Sequence, residues 1–288
     1  MNLKLQTSNK IGIIGLGLIG GSLGLSLQEI GCKVYGVTNR TVTAERAKER
    51  KLANYVSTDP KILSNCDIVI IALPLDHLLN PDINLVNSLP PNAVITDVGS
   101  VKAPVLEIWQ KLHPNFVPSH PMAGTNNSGV EAGIKDLFKG KPWVSTPDDQ
   151  TNPQAIEIIH NLAISLGCKW ILTDVNTHDQ AVALISHLPV IVSAALLDAA
   201  SNSKDKSIID LSISLASSGF IDTTRVGGGN PELGMSMAKH NYSAIIESLN
   251  SYQESFQQFK ELIVSKKWED VLDKLKKTNS SRAEFLNN

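Results

Sequence analysis

The run Gly15-Leu16-Gly17-Leu18-Ile19-Gly20 limits what this chain can fold into more than any other feature. It follows an apolar stretch, Ile11-Gly12-Ile13-Ile14, and opens into a second one. Glycines at this spacing also occur in plain turns. Set between a strand and a helix, they are what a dinucleotide-binding βαβ unit requires. Gly15 permits the tight turn, Gly17 lets the backbone approach a pyrophosphate, and Gly20 lets the helix pack on the strand. The helix start adds free N–H groups and the positive end of its dipole. Residues 11–14, 33–37, 68–72, 93–96 and 115–117 read as strands. Residues 19–30, 42–50 and 103–112 read as helices between them. Such alternation predicts a parallel α/β sheet. Residues 144–146 and 169–172 read as late or edge strands around a helix at 153–166.

Beyond residue 172 the strand signals stop. Residues 179–200 form one helical stretch. From Tyr242 the residues Ile245, Ile246, Leu249, Tyr252, Phe256, Phe259, Leu262 and Ile263 recur on one face of a long helix. Trp268, Val271, Leu272 and Leu275 continue in another. The expected architecture is an α/β Rossmann-type dinucleotide-binding domain over 1–172, followed by an all-α domain over 173–288. An apolar face this wide in so small a domain calls for a partner, and a homodimer is expected; an intramolecular bundle is the plainer alternative. Net charge is −2 among 288 residues, so no electrostatic case exists for nucleic acid or a membrane surface. Residues 181–200 are apolar but contain Ser186, His187, Pro189 and Asp198, which favours a buried helix over a membrane span. The polar start MNLKLQTSNK lacks the apolar core of a secretory signal. Cys32, Cys66 and Cys168 are far apart and read as reduced thiols of a cytoplasmic protein.

The end of the second strand speaks to the cofactor. An Asp or Glu about 20 residues after the glycines bonds the ribose 2′-OH in NAD enzymes. Here the segment is Val37-Thr38-Asn39-Arg40-Thr41-Val42-Thr43, with no carboxylate before Glu45. Hydroxyls and an arginine suit a 2′-phosphate, so the expected cofactor is NADP. The cofactor set expected is Gly15, Gly17, Leu18, Ile19, Gly20, Thr38, Asn39, Arg40, Thr43, Leu73, Pro74 and Ser100.

Four further segments carry chemistry: Thr96-Asp97-Val98-Gly99-Ser100-Val101-Lys102, Ser119-His120-Pro121-Met122-Ala123-Gly124-Thr125, the stretch from Asp179 to Ser186-His187-Leu188-Pro189, and the glycine-rich run from Ser217 through Arg225-Val226-Gly227-Gly228-Gly229-Asn230-Pro231. Together with the glycine loop they resemble the prephenate/arogenate dehydrogenase family of tyrosine biosynthesis, and most of all its short cyanobacterial arogenate type. The resemblance runs from Ile11 to about Trp268. It implies a helical dimerisation domain after the nucleotide domain. Some members also carry a chorismate mutase or an ACT domain, for which 288 residues leave no room. Some relatives have Ser-Arg where this chain has Thr38-Asn39; the basic group here is Arg40, one residue later.

The implied reaction is hydride loss from C4 of a cyclohexadienol, with loss of the hydroxyl proton and of CO₂. A histidine suits that proton near neutral pH. By resemblance His120 is the base, with Ser100 hydrogen-bonded to it as its orienting group. His187 and Arg225 would meet the substrate's carboxylates, with Thr125 and Gly229 beside them. Arogenate is the expected substrate and prephenate the alternative. A β-hydroxyacid dehydrogenase and a non-catalytic NADP-binding redox sensor are the other readings. No metal is expected. His178 and His187 are nine residues apart and would lie on opposite faces of a regular helix. His77, His113, His160 and His240 read as surface histidines, and Asp179 as the N-terminal cap of its own helix.

Overall fold

In the computed structural model, residues 9–125, 127–202 and 204–286 are described; the polar leader 1–8 lies outside them. Strand β1 (Lys10–Ile14) enters the glycine turn and helix α1 (Leu18–Glu29) leaves it. Strand β2 (Lys33–Val37), helix α2 (Thr41–Glu49) and strand β3 (Tyr55–Ser57) follow. Next come β4 (Ile68–Ile71), α3 (Leu75–Leu79), α4 (Ile83–Asn87), β5 (Val94–Asp97), α5 (Ala103–Leu112) and β6 (Phe116–Val117). The strand order is β3-β2-β1-β4-β5-β6, and every pairing is parallel. The order reverses between β1 and β4, where an open α/β sheet places its ligand crevice.

The central strands are apolar on both faces because helices cover both. All four residues of β4 are buried, and two apolar cores lie on opposite sides of the sheet. Tyr55–Ser57, too short to show a pattern in the sequence, is the outer strand; Tyr55 stacks on Tyr35 at 4.9 Å.

The expected late strands are present, in a sheet of their own. Strands β7 (Ser119–Pro121), β8 (Pro142–Ser145) and β9 (Lys169–Leu172) form a second, three-stranded sheet of their own, β8 lying between the other two. His120 sits on β7, paired with Val144. Helix α6 (Pro153–Ser165) joins β8 to β9 and packs into the first core through Ala155, Ile159, Leu162 and Ala163.

From Val175 onward the elements among the described residues are helical. Helix α7 (Val175–Val182) runs through a π turn at Ala183–His187 into α8 (Leu188–Ser201). Then come α9 (Lys206–Leu215), α10 (Ser218–Thr224), α11 (Pro231–His240), α12 (Tyr242–Val264) and α13 (Trp268–Leu286). The helix starts four residues before the expected Asp179, because Asp174 caps it by accepting from the N–H groups of Asn176 and Thr177. The 27 residues from Val175 to Ser201 are long and apolar enough to span a membrane, by length and composition alone. Within the chain they pack on α12 around Ala183, Ala244 and Ile245. Beyond that small core, Ile213, Leu215, Phe256 and Ile263 are all more than half exposed.

Candidate active site

Side chains from both parts of the chain meet beyond the carboxyl ends of β1, β4 and β5. Gly15 has φ +91°, and a Cβ there would collide with the Ala72 carbonyl oxygen and meet Leu73 at 3.1 Å. A Cβ at Gly20 would collide with the Gly15 carbonyl oxygen. At Gly17 a Cβ would meet nothing within 4 Å. Two of the glycines thus allow backbone contact, and the third faces open space. Gly17 caps α1 without a side-chain hydrogen bond, so the first N–H groups, of Leu18, Ile19 and Gly20, remain available to an anion. Ala72 and Leu73, which follow β4, border the turn; Pro74 starts α3 beside them. These residues fit a dinucleotide pyrophosphate.

At the end of β2, Thr38 is buried and its hydroxyl donates to the Arg40 carbonyl at 3.3 Å. Asn39, Arg40 and Thr41 face solvent at the start of α2, with Thr43 half-buried one turn in. Arg40 forms no ion pair among the described residues.

The segment between β5 and α5 is held by buried charge. The Asp97 carboxylate accepts from the backbone N–H of Gly99 at 2.8 Å and of Ser119 at 3.0 Å, and pairs with the Lys102 ammonium. Lys102 also donates to the Ser119 carbonyl at 2.7 Å. Both side chains are fully buried. Burial pulls the Lys102 ammonium below its usual range, and Asp97 opposes that shift. This pair ties the Ser100 loop to the strand carrying His120, a connection the sequence pattern did not disclose.

His120 retains partial solvent access. Its Nδ1 lies 3.0 Å from Nε2 of His178, the rings meeting edge to face. His178 is buried, and its Nδ1 is 2.7 Å from Asp179 Oδ1. The Asp179 carboxylate also accepts from the backbone N–H of Lys102 at 2.8 Å and of Ala103 at 2.9 Å. Two expectations are corrected here. Asp179 is a helix cap, but of α5 in the nucleotide-binding part, not of its own helix. Ser100 makes no hydrogen bond to His120 among the described residues; His178 engages the His120 Nδ1. Enclosure by protein, then the neighbouring His178, Lys102 and His187, hold the His120 imidazolium well below the usual histidine range.

His187 is also closer than expected. A π turn holds one residue more than an α turn. One residue is worth about 100° of rotation, so the nine-residue separation places His178 and His187 roughly 80° apart instead of 180°. Pro189, which cannot donate to the Ile185 carbonyl, follows directly on this turn. Asn241 Nδ2 donates to the Asp179 carbonyl at 2.7 Å and to His187 Nδ1 at 3.2 Å. Burial lowers His187 to about 4, against a smaller opposing pull from Asp179. The ring is therefore neutral, with Nδ1 accepting and Nε2–H as a donor.

Arg225 follows α10, is exposed, and forms no ion pair among the described residues. Its loop is fastened to α8: Ser193 Oγ donates to the Thr223 carbonyl at 2.9 Å and accepts from Gly227 N–H at 2.8 Å. A Cβ at Gly227 would strike the Ala194 backbone nitrogen. Gly229 and Thr125 are exposed, and the Thr125 hydroxyl accepts from Asn127 N–H at 3.2 Å. Two histidines expected at the surface are engaged instead. His113 is buried with Nε2 at 3.1 Å from the Pro90 carbonyl, and His240 Nε2 lies 2.6 Å from Asp76 of α3.

Fold and site define a nicotinamide-dinucleotide dehydrogenase with a helical second domain. Residues 23–172 match the nucleotide-binding domain of prephenate dehydrogenase, and residues 174–277 match its dimerization domain. The chain is 29% identical to the cyclohexadienyl dehydrogenase of Zymomonas mobilis, over 94% of both chains. Synechocystis arogenate dehydrogenase superposes with a TM-score of 0.82 at 39% identity, covering 96% of this chain and 100% of that one. The prephenate dehydrogenase of A. aeolicus, in complex with hydroxyphenyl propionate and NAD⁺, gives 0.91 at 26% identity, covering 98% and 100%. The chain belongs to the prephenate/arogenate dehydrogenase family, oxidoreductases of tyrosine biosynthesis that carry out an oxidative decarboxylation.

Proposed function

We propose that this protein is a cytoplasmic, homodimeric dehydrogenase that oxidises arogenate with NADP, releasing CO₂ and forming tyrosine. The observation that carries the chemistry is the His120 ring, whose Nδ1 is engaged by His178 and whose Nε2 has no protein partner among the described residues, while burial favours its neutral form. His120 Nε2 takes the proton of the C4 hydroxyl as hydride departs from C4. Bound nicotinamide supplies the acceptor for that hydride. The electrons of the breaking carbon–carboxylate bond enter the ring, which becomes aromatic, and the proton returns to the product oxygen. Arg225 offers a forked donor for a carboxylate. The His187 Nε2–H offers a second donor, with Thr125 and Gly229 lining the substrate side. Gly15, Gly17 and Gly20, with the N–H groups of Leu18 and Ile19, hold the pyrophosphate. Leu73, Pro74 and Ser100 would flank the nicotinamide side.

NADP is favoured by the chemistry at the end of β2. A carboxylate there would repel a 2′-phosphate, whereas Thr38, Asn39, Arg40 and Thr43 offer donors and a free cation. Arogenate is favoured by the 39% identity to the Synechocystis enzyme. Its ammonium needs an acceptor, and a backbone carbonyl of the Gly227–Gly229 run can serve without a carboxylate side chain. The test is kcat/KM for arogenate and prephenate at one pH with saturating NADP, repeated with NAD. Arogenate with NADP is expected to be the best pair. A higher value for prephenate overturns the substrate, and a higher value for NAD overturns the cofactor.

A further inference from the structure

We propose that His178 and Asp179 form a relay behind His120, which fixes the tautomer of the base and accepts its charge. The inference rests on the reading of His120 as the base and goes beyond it. The chain of partners sets the direction of every hydrogen. The Asp179 carboxylate only accepts, and it already takes the N–H groups of Lys102 and Ala103. His178 Nδ1 therefore carries a hydrogen and donates to it across 2.7 Å. In neutral His178 the other nitrogen, Nε2, is then a bare acceptor. His120 Nδ1 must donate to it across 3.0 Å. What remains on His120 is an unprotonated Nε2, the atom a base needs to present to a hydroxyl.

The same connections handle the charge. When the substrate's proton reaches His120 Nε2, the Nδ1 hydrogen can shift toward His178 Nε2. The positive charge then spreads to the ring beside Asp179, and the shift reverses when the proton returns to the product oxygen. No proton is gained or lost over the cycle. The ordering logic is that of hydrolytic triads, with a second imidazole between base and carboxylate. The ionisable groups acting on the pair are Lys102 from the β5–α5 segment, with Asp179 and His187 from the α7–α8 helix. Asn241 at the start of α12 is the neutral neighbour. A single proton added to either ring removes the base-competent arrangement.

The relay also accounts for the position of Asp179. Its helix is seated in the dimerisation domain, yet its carboxylate lies on the N-terminus of α5, where the helix dipole stabilises negative charge. The base is thus assembled from both domains.

The test uses ¹⁵N-histidine-labelled protein saturated with NADP, with the His120 signals assigned by their loss in His120→Asn. The wild type should show His120 protonated at Nδ1 and bare at Nε2. In Asp179→Asn an amide NH₂ replaces one accepting oxygen. His120 should then appear protonated at Nε2, with kcat lower by about 10²-fold or more while KM and the nucleotide Kd stay within about twofold. Should that variant fail to fold, His178→Leu and His178→Gln decide. Glutamine restores an acceptor for the Nδ1 hydrogen and should recover part of the turnover that leucine loses. A wild-type base protonated at Nε2, or wild-type kcat in the Asp179 or His178 variants, overturns the relay. Turnover surviving in His120→Asn would instead overturn the reading of the base itself, so the two failures are distinct.

Discussion

At the residue scale, the proposed chemistry depends on keeping the His120 imidazole neutral. The base works only unprotonated, so activity is present above its pKa and lost as pH falls through it. Burial and three nearby positive or potentially positive groups depress that pKa in His120. The acid limb of kcat/KM should therefore lie below the usual histidine range, and a limb at or above that range would contradict the geometry. His120→Asn should fold and bind NADP while losing about 10²–10⁴-fold in turnover. Ser100→Ala should cost less, because Ser100 does not hold the His120 ring. Near-normal turnover of the His120 variant would remove it from the mechanism. Arg40→Ala should raise the Kd for NADP while leaving that for NAD nearly unchanged; equal losses for both would show Arg40 to be a bystander.

At the element scale, the informative feature is the α7–α8 helix with its π turn. A uniform helix would have carried His187 to the face opposite His178. The extra residue brings both rings toward the side on which Asp179 meets α5 and Asn241 meets His187. Farther along the same helix, Ser193 clamps the loop that carries Arg225. Ser193→Ala leaves the Gly227 N–H without its partner and should cost about 1–3 kcal/mol. The variant should melt earlier and show a raised KM for substrate with an unchanged nucleotide Kd. An unchanged melting temperature would show the clamp to be dispensable.

At the scale of the whole molecule, the two halves are unequal in burial. The parallel sheet encloses two apolar cores, whereas the helical part buries a small one and leaves a broad apolar surface on α9 and α12. A second copy of this chain is the covering that the family's dimerization domain supplies. Light scattering at micromolar concentration should report a dimer. Ile213→Asp, at a position 71% exposed in the single chain, should shift it toward monomer if α9 lies in the interface. A monomeric wild type would refute the assembly. The two domains are also joined directly, through Asp179 on α5 and His240 on Asp76, so loss of the dimer need not scatter the site.

What the sequence determined by itself is local and periodic. The glycine turn needs only adjacent residues, so the tight turn at Gly15 and the close packing at Gly20 were legible. Alternating apolar runs specified the parallel sheet, and the acid-free segment after Val37 raised the cofactor question before any coordinates. The family motifs singled out His120, His187 and Arg225. Tertiary structure alone decided who touches whom. The sequence offered Asp179 only as the cap of its own helix and His178 only as a residue facing away from His187, because neighbours in a helix point in different directions and sequence spacing argues against joint work. Their partners are 58 and 77 residues away. Likewise nothing in the sequence marked Lys102 as buried, and only the fold encloses it between Asp97 and the Ser119 carbonyl. Periodicity records which face of an element is buried. It carries no record of which distant polar group will be there, and a buried charge can persist only where such a group is supplied.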